Sequence, residues 1–489
     1  MEDEKENARD GKQDRTSSVR YILCGLLFMN CFLLYAMRLN LSISMTAMVN
    51  TENPDVMAPL NETCRSLDRA VENTTVPRPN KTGEFDWDQS QQGMITYSFF
   101  VGYLITQIPG GYLAEIYSPT LVLGLGMGLT SVLTCFTSIA ARTHIALLIA
   151  LRMLEGLGEG VMYPSVFVFI ANWIPVQEQG LLLNFIVSGC AVGTVVTMTV
   201  SALLCNSPLG WPASFYVFGI IGIVFSILWI TLSAGAPEYH SWISPGERDY
   251  IIKHRAASKK KNMRAVPWKK LLLSPAVLLL GIECFGVSMN AYFIITEFPS
   301  YLKYIYGADT LTVGMVTGFM TLGSAISVIL CGWATDKILA KEAISKNTLR
   351  KFCVAVSCFV PSICMIIIAQ IGCNYHLVLG LMLLNLVCMG FIGGGDRLIG
   401  LDIAPELAGC VQGVTSSMAN LAGVVAPALV AITTEKNNTA HQWNLVLYCV
   451  AACGAFGAIL FILFGTVAKQ DWATDGEDAE DNELVHRDN

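Results

Sequence analysis

The sequence predicts an all-α membrane fold of twelve transmembrane helices arranged as two six-helix pseudo-repeats. Three observations carry this. Of 489 residues, 53% are hydrophobic and only 14% charged, where a soluble chain carries about a quarter charged residues. Twelve apolar stretches approach or exceed the ~20 residues a helix needs to cross a bilayer, at 21–49, 89–114, 120–141, 144–173, 180–205, 212–236, 274–304, 310–335, 352–373, 376–400, 408–434 and 442–468. A short phrase also recurs at matching places in the halves: Gly111-Tyr-Leu-Ala-Glu115 after the second stretch and Gly332-Trp-Ala-Thr-Asp336-Lys337 after the eighth. Self-similar halves are what parallel transporter repeats leave in a sequence, with the ligand site between them near the midplane.

Taken in order, residues 1–20 form a polar tail too acidic for a signal-peptide start, and no small-residue cleavage site follows the first apolar run, so the first span is kept as a signal anchor. Residues 21–236 form the first bundle, with an outer loop at 50–86, and 271–468 form the second. The linker 237–270 holds Arg248, Lys253, Arg255, Lys259, Lys260, Lys261, Arg264, Lys269 and Lys270, and the turn between spans eight and nine holds Lys337, Lys341, Lys346, Arg350 and Lys351. Basic short loops face the cytoplasm, which places both termini there as well. The acceptor sequons agree, because Asn61, Asn73 and Asn80 fall in the first outer loop and Asn437 between spans eleven and twelve, all on the opposite side. Asn40-Leu41-Ser42 also matches but lies within the membrane. The net charge of −7 comes largely from the acidic tail 469–489, which reads as a solvated segment rather than a partner site. Thirteen of sixteen cysteines lie inside spans without CxxC spacing and read as packing residues; Cys64, Cys205 and Cys373 lie at or near the outer side.

The chemistry sits where a bilayer disfavours charge. Arg38 lies in span one, and Arg152, Glu155 and Glu159 lie in span four. An intramembrane charge costs several kcal/mol and marks a substrate or ion pathway by default. Arg152, Glu155 and Glu159 are spaced three and four apart, so a helix puts them on one face. At ~1.5 Å of rise per residue, Arg152 lies about 12 Å and Arg38 about 17 Å below the outer ends of their spans, so both forks can reach one cavity. Arginine stays charged and matches carboxylate or phosphate oxygens with a planar fork, which favours an anionic substrate. The alternative is that each arginine pairs with a protein carboxylate, Arg152 with Glu155 for instance, and only fixes helix packing. Glu155 and Glu159 can each take a proton or ligate sodium while an anion competes for the arginines. His144, His376 and His441 lie at outer span ends and His240, His254 and His486 in cytoplasmic segments, so proton coupling must run through carboxylates.

Further polar groups serve as hydrogen-bonding lining: Tyr97, Tyr163, Asn290 and Tyr292. Glu283 and Glu297 lie near opposite ends of span seven, and Asp396-Arg397 follows the Gly393-Gly394-Gly395 break in span ten, where snorkelling or a local ion pair explains them. In the repeated phrase, glycine permits close helix approach and the acid, Glu115 or Asp336, can face the positive N-terminal end of a neighbouring helix. Such contacts would latch the cytoplasmic side shut. Gly156-Leu-Gly-Glu-Gly160 follows no strand, so it is no nucleotide loop. No catalytic Ser-His-Asp set and no metal spacing occurs, which argues against an enzyme, a resident metal or a cofactor other than a co-transported Na+ or H+.

Tyr35-Ala-Met-Arg38-Leu-Asn-Leu-Ser42, Thr106-Gln-Ile-Pro-Gly-Gly-Tyr112, Arg152-Met-Leu-Glu-Gly-Leu-Gly-Glu-Gly160 with Tyr163-Pro164, Leu401-Asp-Ile-Ala-Pro405 and Gln470-Asp-Trp-Ala473 resemble the anion:cation symporters of the major facilitator superfamily. That family holds sialin, the vesicular glutamate transporters and the type I sodium-phosphate cotransporters. The resemblance implies a monomeric alternating-access carrier with the major facilitator fold, in which Arg38 and Arg152 match the family's substrate-binding arginines. Glu155 and Glu159 match the paired acids that sialin-like members use for proton coupling. Thr96 stands where the glutamate branch has a histidine and Val287 where it has an arginine, which argues against that branch. Asp396-Arg397-Leu-Ile-Gly400 also departs from the family, which usually has an asparagine and then a histidine or glycine there. The sequence-level expectation is sodium-coupled symport of inorganic phosphate or a small organic anion. Proton-coupled transport of an acidic sugar or amino acid is the alternative, and a ligand-gated channel or receptor the alternative of another class. Without a dileucine address after Asp14-Arg15-Thr16, the plasma membrane comes before a lysosomal or vesicular one. The expected partners are the small anion, sodium or protons, and the lipid bilayer, with no nucleic acid.

Overall fold

A computed structural model describes residues 19–49, 83–87, 89–255, 266–306, 310–341, 344–372, 374–434 and 439–474. Asn61, Asn73, Asn80, Asn437, Cys64 and Cys373 lie outside the described residues, as do Lys259, Lys260, Lys261 and Arg264 of the linker. The first half is built from α1 (Val19–Met48), α2 (Gln89–Ile116), α3 (Pro119–Thr143), α4 (Ile145–Gly160), α5 (Met162–Trp173), α6 (Gln179–Asn206) and α7 (Pro212–Leu232). The linker contributes α8 (Pro245–His254) and α9 (Trp268–Leu272). The second half comprises α10 (Pro275–Tyr292), α11 (Phe298–Tyr306), α12 (Thr310–Ala340), α13 (Lys346–Ile371), α14 (Tyr375–Met389), α15 (Asp396–Ile403), α16 (Ala408–Thr434) and α17 (Ala440–Phe464), closed by the short α18 (Asp471–Thr474).

Helix starts follow local chemistry. Proline at the first position opens α3, α7 and α10, where its missing N–H has no partner to lose. Ser345 and Asn374 cap α13 and α14 by accepting from Thr348 and Leu377 backbone N–H groups, and Thr439 with Gln442 forms a capping box on α17. Ten helices among the described residues are long and apolar enough to cross a membrane. The two remaining expected spans are α2, rich in Gly, Gln and Tyr, and span four, which the structure divides at Val161 into α4 and α5. Span seven runs through a π turn at Phe293–Glu297, and span ten breaks at a 3₁₀ turn over Gly390–Gly393, before α15.

The helix pairings repeat between halves. In the first half α1 packs on α6, α2 on α4 and α3 on α7; in the second, α10 packs on α16, α12 on α14 and α13 on α17. The halves meet where α2 lies against α16 and α6 against α12, which is again one pairing repeated. Each half is built on an apolar core, with Trp173 and Trp229 fully enclosed in the first and Trp443 in the second, and Leu398, Leu401 and Ala408 of the second half join the core of the first. The α2–α4 contact is unusually close, since a Cβ on Gly156 would collide with the Phe99 carbonyl. That approach sets the site described next. The linker is more than a tether: Glu247 of α8 accepts hydrogen bonds from the Val19 and Arg20 backbone N–H groups at 2.9 and 3.1 Å, capping the positive N-terminus of α1. The side of the molecule carrying α8 is termed the linker face, and the side where Val49 bridges to Phe85 the far face.

Candidate functional site

Four charges from two helices meet in the first half. Arg38 projects from α1 to Glu159 of α4, its Nε donating to Oε1 at 2.8 Å and its Nη2 approaching the same oxygen at 2.7 Å. Arg152 Nη1 pairs with Glu155 one turn along α4, and Arg152 Nη2 donates to the Arg38 carbonyl at 3.5 Å. Both guanidinium groups lie against one ring, with Arg38 Cζ 5.3 Å and Arg152 Cζ 5.1 Å from the Phe99 centroid. Tyr103 at 4.4 Å and Tyr35 at 5.0 Å complete an aromatic enclosure around Arg38. All four charged residues are buried, Arg38 the most accessible at 8%.

The two ion pairs differ in how well they are satisfied. Glu155 is saturated, one oxygen meeting Arg152 and the other accepting from Thr137 Oγ1 at 2.9 Å. Glu159 is not, because Oε2 is buried without a hydrogen-bond partner. Since Nε and Nη2 of Arg38 converge on a single oxygen, Nη2 is left poorly aligned and unmet, as is Arg152 Nε. Unmet donors beside an unmet acceptor, out of water, are costly. An anion and a proton together would satisfy them.

The structure thus brings together Arg38, Arg152, Glu155 and Glu159, with each arginine fork facing a protein carboxylate. Tyr292 of α10 faces this group from the other half, within electrostatic reach of Arg38, while its hydroxyl donates to Asn420 Oδ1 at 2.7 Å. Tyr163 packs on Phe167 at 5.4 Å and lies within reach of Tyr103 and Arg397. Tyr97 stands 43% exposed toward the far-face end of α2. Asn290 exchanges hydrogen bonds with Asn385 at 2.9 and 3.3 Å inside the second half and lines a small internal cavity there, apart from the arginines.

The repeated phrases form a matched pair of contacts. Asp336 Oδ1 and Oδ2 accept from the N–H groups of Gly180 and Leu181 at 3.1 and 2.8 Å, in the first turn of α6. Glu115 Oε1 accepts from Gly409 N–H at 2.8 Å, in the first turn of α16. The first N–H groups of a helix lack internal partners and carry partial positive charge, so each acid neutralises one. Glycine faces glycine in both: a Cβ on Gly332 would collide with the Gly180 carbonyl, and one on Gly111 with the Gly409 carbonyl. Asn184 adds a third link, donating to the Gly393 carbonyl at 2.7 Å and accepting from Arg397 Nη1 at 3.1 Å. Arg397 is therefore directed across the interface, not outward or into the local ion pair with Asp396 that the sequence implied. These contacts join the halves on the linker-face side of the arginines.

Phe99, Thr137, Asn184, Gly180 and Gly409 were not singled out from sequence. The latter two had a signal, since Pro175 and Pro405 each precede or open a 3₁₀ turn leading into a helix whose second residue is a glycine.

The Major Facilitator Superfamily profile matches residues 22–427. Sialin of Homo sapiens is 35% identical over 457 residues, covering 93% of this chain and 91% of that protein. Vesicular glutamate transporter 3 of Danio rerio is 29% identical over 470 residues, covering 94% and 75%. Sodium-dependent phosphate transport protein 3 of Mus musculus is 28% identical over 482 residues, covering 96% and 98%. Among solved structures, the proton:xylose symporter XylE superposes with a TM-score of 0.68 at 12% identity, covering 93% of this chain and 98% of that one.

Proposed function

We propose that this chain, which belongs to the Major Facilitator Superfamily and within it to the anion:cation symporters, carries a small organic anion coupled to protons by alternating access. The observation that carries the reading is the unmatched Glu159–Arg38 pair. Protonating Glu159 on its free Oε2 removes the charge that holds Arg38, whose fork then takes the substrate carboxylate or phosphate. Glu155, doubly satisfied, holds Arg152 in position and does not release it. This order places proton coupling ahead of sodium, because a carboxylate already spent on a guanidinium is a poor ligand for a hard cation that needs several oxygens. Sodium-coupled phosphate transport stays as the second reading, supported by the likeness to the murine phosphate transport protein. Uptake by the purified protein in liposomes of phosphate, sialic acid, urate, glutamate and nucleotides, each under a proton or a sodium gradient, tests both; sodium-driven uptake indifferent to a proton gradient contradicts the first.

The linker face is cytoplasmic in this proposal, both termini lie there, and a monomer in the plasma membrane does the transport. Glu115 and Asp336 then act as gates that hold the cytoplasmic side closed while the site opens outward. Asp336→Asn weakens a charge-assisted contact worth about 1–3 kcal/mol, so cytoplasmic-side labelling of a cysteine placed at Ser417 should rise about 10-fold. Unchanged labelling would remove the gating role. The topology has its own check: glycosidase treatment should shift the protein's mobility on gels, and Gln at Asn61, Asn73 and Asn80 together should remove most of that shift. A protein that carries no glycan at those positions would count against the proposed orientation.

A further inference from the structure

Glu283 of α10 is fully buried in the second half, away from both arginines. One of its oxygens accepts from Cys358 Sγ at 3.6 Å, and Oε2 has no hydrogen-bond partner. Beside it lies a second acid: a carboxylate oxygen of Glu283, Cys284 Sγ and a carboxylate oxygen of Asp396 all fall within 4.8 Å of one another. Asp396 Oδ1 accepts from the Arg397 backbone N–H at 2.8 Å. Arg350 is engaged by Asp402 and the Gly394 carbonyl, whereas Arg397 donates to the neutral Asn184 across the interface and keeps its charge within reach of Asp396, which makes Asp396 the ionised member of the pair.

Apart from Arg397, no described group facing this pair supplies a counter-charge, and none acts on Glu283. Helix α13 presents Cys358 and Cys353, α17 closes on the Glu283 backbone with Gly457, and α16 approaches the neighbouring Gly281 with Met418. Glu297 lies in the π turn toward the other end of the span. Two carboxylates this close in a low-dielectric interior do not both ionise, and one keeps a proton.

We propose that Glu283 and Asp396 hold one proton between them, as a proton-binding site in the second bundle distinct from the Arg38–Glu159 site and adjoining the Asn184 clamp. The proton resides on the otherwise unpartnered Glu283 Oε2 and faces the Asp396 carboxylate. Asp396 is bonded to Arg397, and the Gly393–Gly395 turn precedes it, so the site abuts both groups that Asn184 holds. Loss of the proton leaves two repelling anions at the base of that turn and loosens the linker-face closure.

Infrared difference spectroscopy on the purified full-length protein without substrate tests this independently of any transport reading. A protonated-carboxyl band should be present at neutral pH, disappear on alkalinisation, vanish in Glu283→Gln, and persist at a shifted frequency in Asp396→Asn. It should survive in Glu159→Gln, which separates it from the arginine site. A band unchanged in Glu283→Gln would overturn the proposal. So would a wild-type band abolished by sodium at constant pH, which would make the pair a sodium site. If Glu283→Gln fails to fold, the frequency in Asp396→Asn decides alone, and an unshifted band overturns the assignment.

Discussion

Replacing Arg38 with Gln is expected to abolish anion uptake while leaving the protein in the membrane. The guanidinium is enclosed by Phe99, Tyr103 and Tyr35 and held only end-on by Glu159, so it is positioned to exchange one carboxylate for another. Glutamine keeps the bulk but loses the charge and the fork. Truncating one partner of a buried, hydrogen-bonded charge pair costs about 2–5 kcal/mol of binding, a loss of anion affinity of roughly 30-fold or more. Arg152→Gln should fall as far, since the two guanidinium groups share the Phe99 ring and Arg152 also donates to the Arg38 carbonyl. Uptake and surface labelling measured on the same cells separate the effect from misfolding. If both variants transport normally at normal surface abundance, the arginines have no substrate role.

Glu159→Gln is expected to separate anion binding from its driving force. The amide imitates the protonated acid, so Arg38 is released at every pH. Wild-type anion binding should strengthen as pH falls, because protonation frees the fork, and that dependence should flatten in the variant. Anion-for-anion exchange should continue within a few-fold of wild type, while accumulation driven by a proton gradient drops to background. Glu155→Gln should behave differently: Glu155 is saturated by Arg152 and Thr137, so its loss misplaces Arg152 and lowers affinity without removing the gradient dependence. Gradient-driven accumulation preserved in Glu159→Gln would refute the coupling role.

Much of this was legible in the sequence because membranes impose simple rules. Apolar length set the helices, and intramembrane charge marked Arg38, Arg152, Glu155 and Glu159. Spacing of three and four put the last three on one face of α4. The Gly-x-x-x-acid repeat pointed to paired latches, and Asp336 and Glu115 do meet helix N-termini. What spacing cannot show is which partner each charge meets across helices. Arg38 has no acid in its own span, and its pairing with Glu159 depends on how closely α1, α2 and α4 pack, which the Gly156 approach to Phe99 decides. Nor can spacing show that the Asn290 amide pairs with Asn385 of another span. The break of span four at Val161 did have a signal, since Pro164 has no N–H to give the Gly160 carbonyl. Arg397 looked like a local charge at a helix end, and only the docking of the two halves shows it reaching Asn184.

The most direct test of the central claim is a high-resolution structure of the carrier loaded with whichever anion it accumulates fastest in liposomes. An anion oxygen should sit within hydrogen-bond distance of both Arg38 and Arg152, with the Glu159 carboxyl group drawn away from Arg38 and Glu155 still bound to Arg152 and Thr137. An anion bound elsewhere, with Arg38 still clasped by Glu159, would contradict the account.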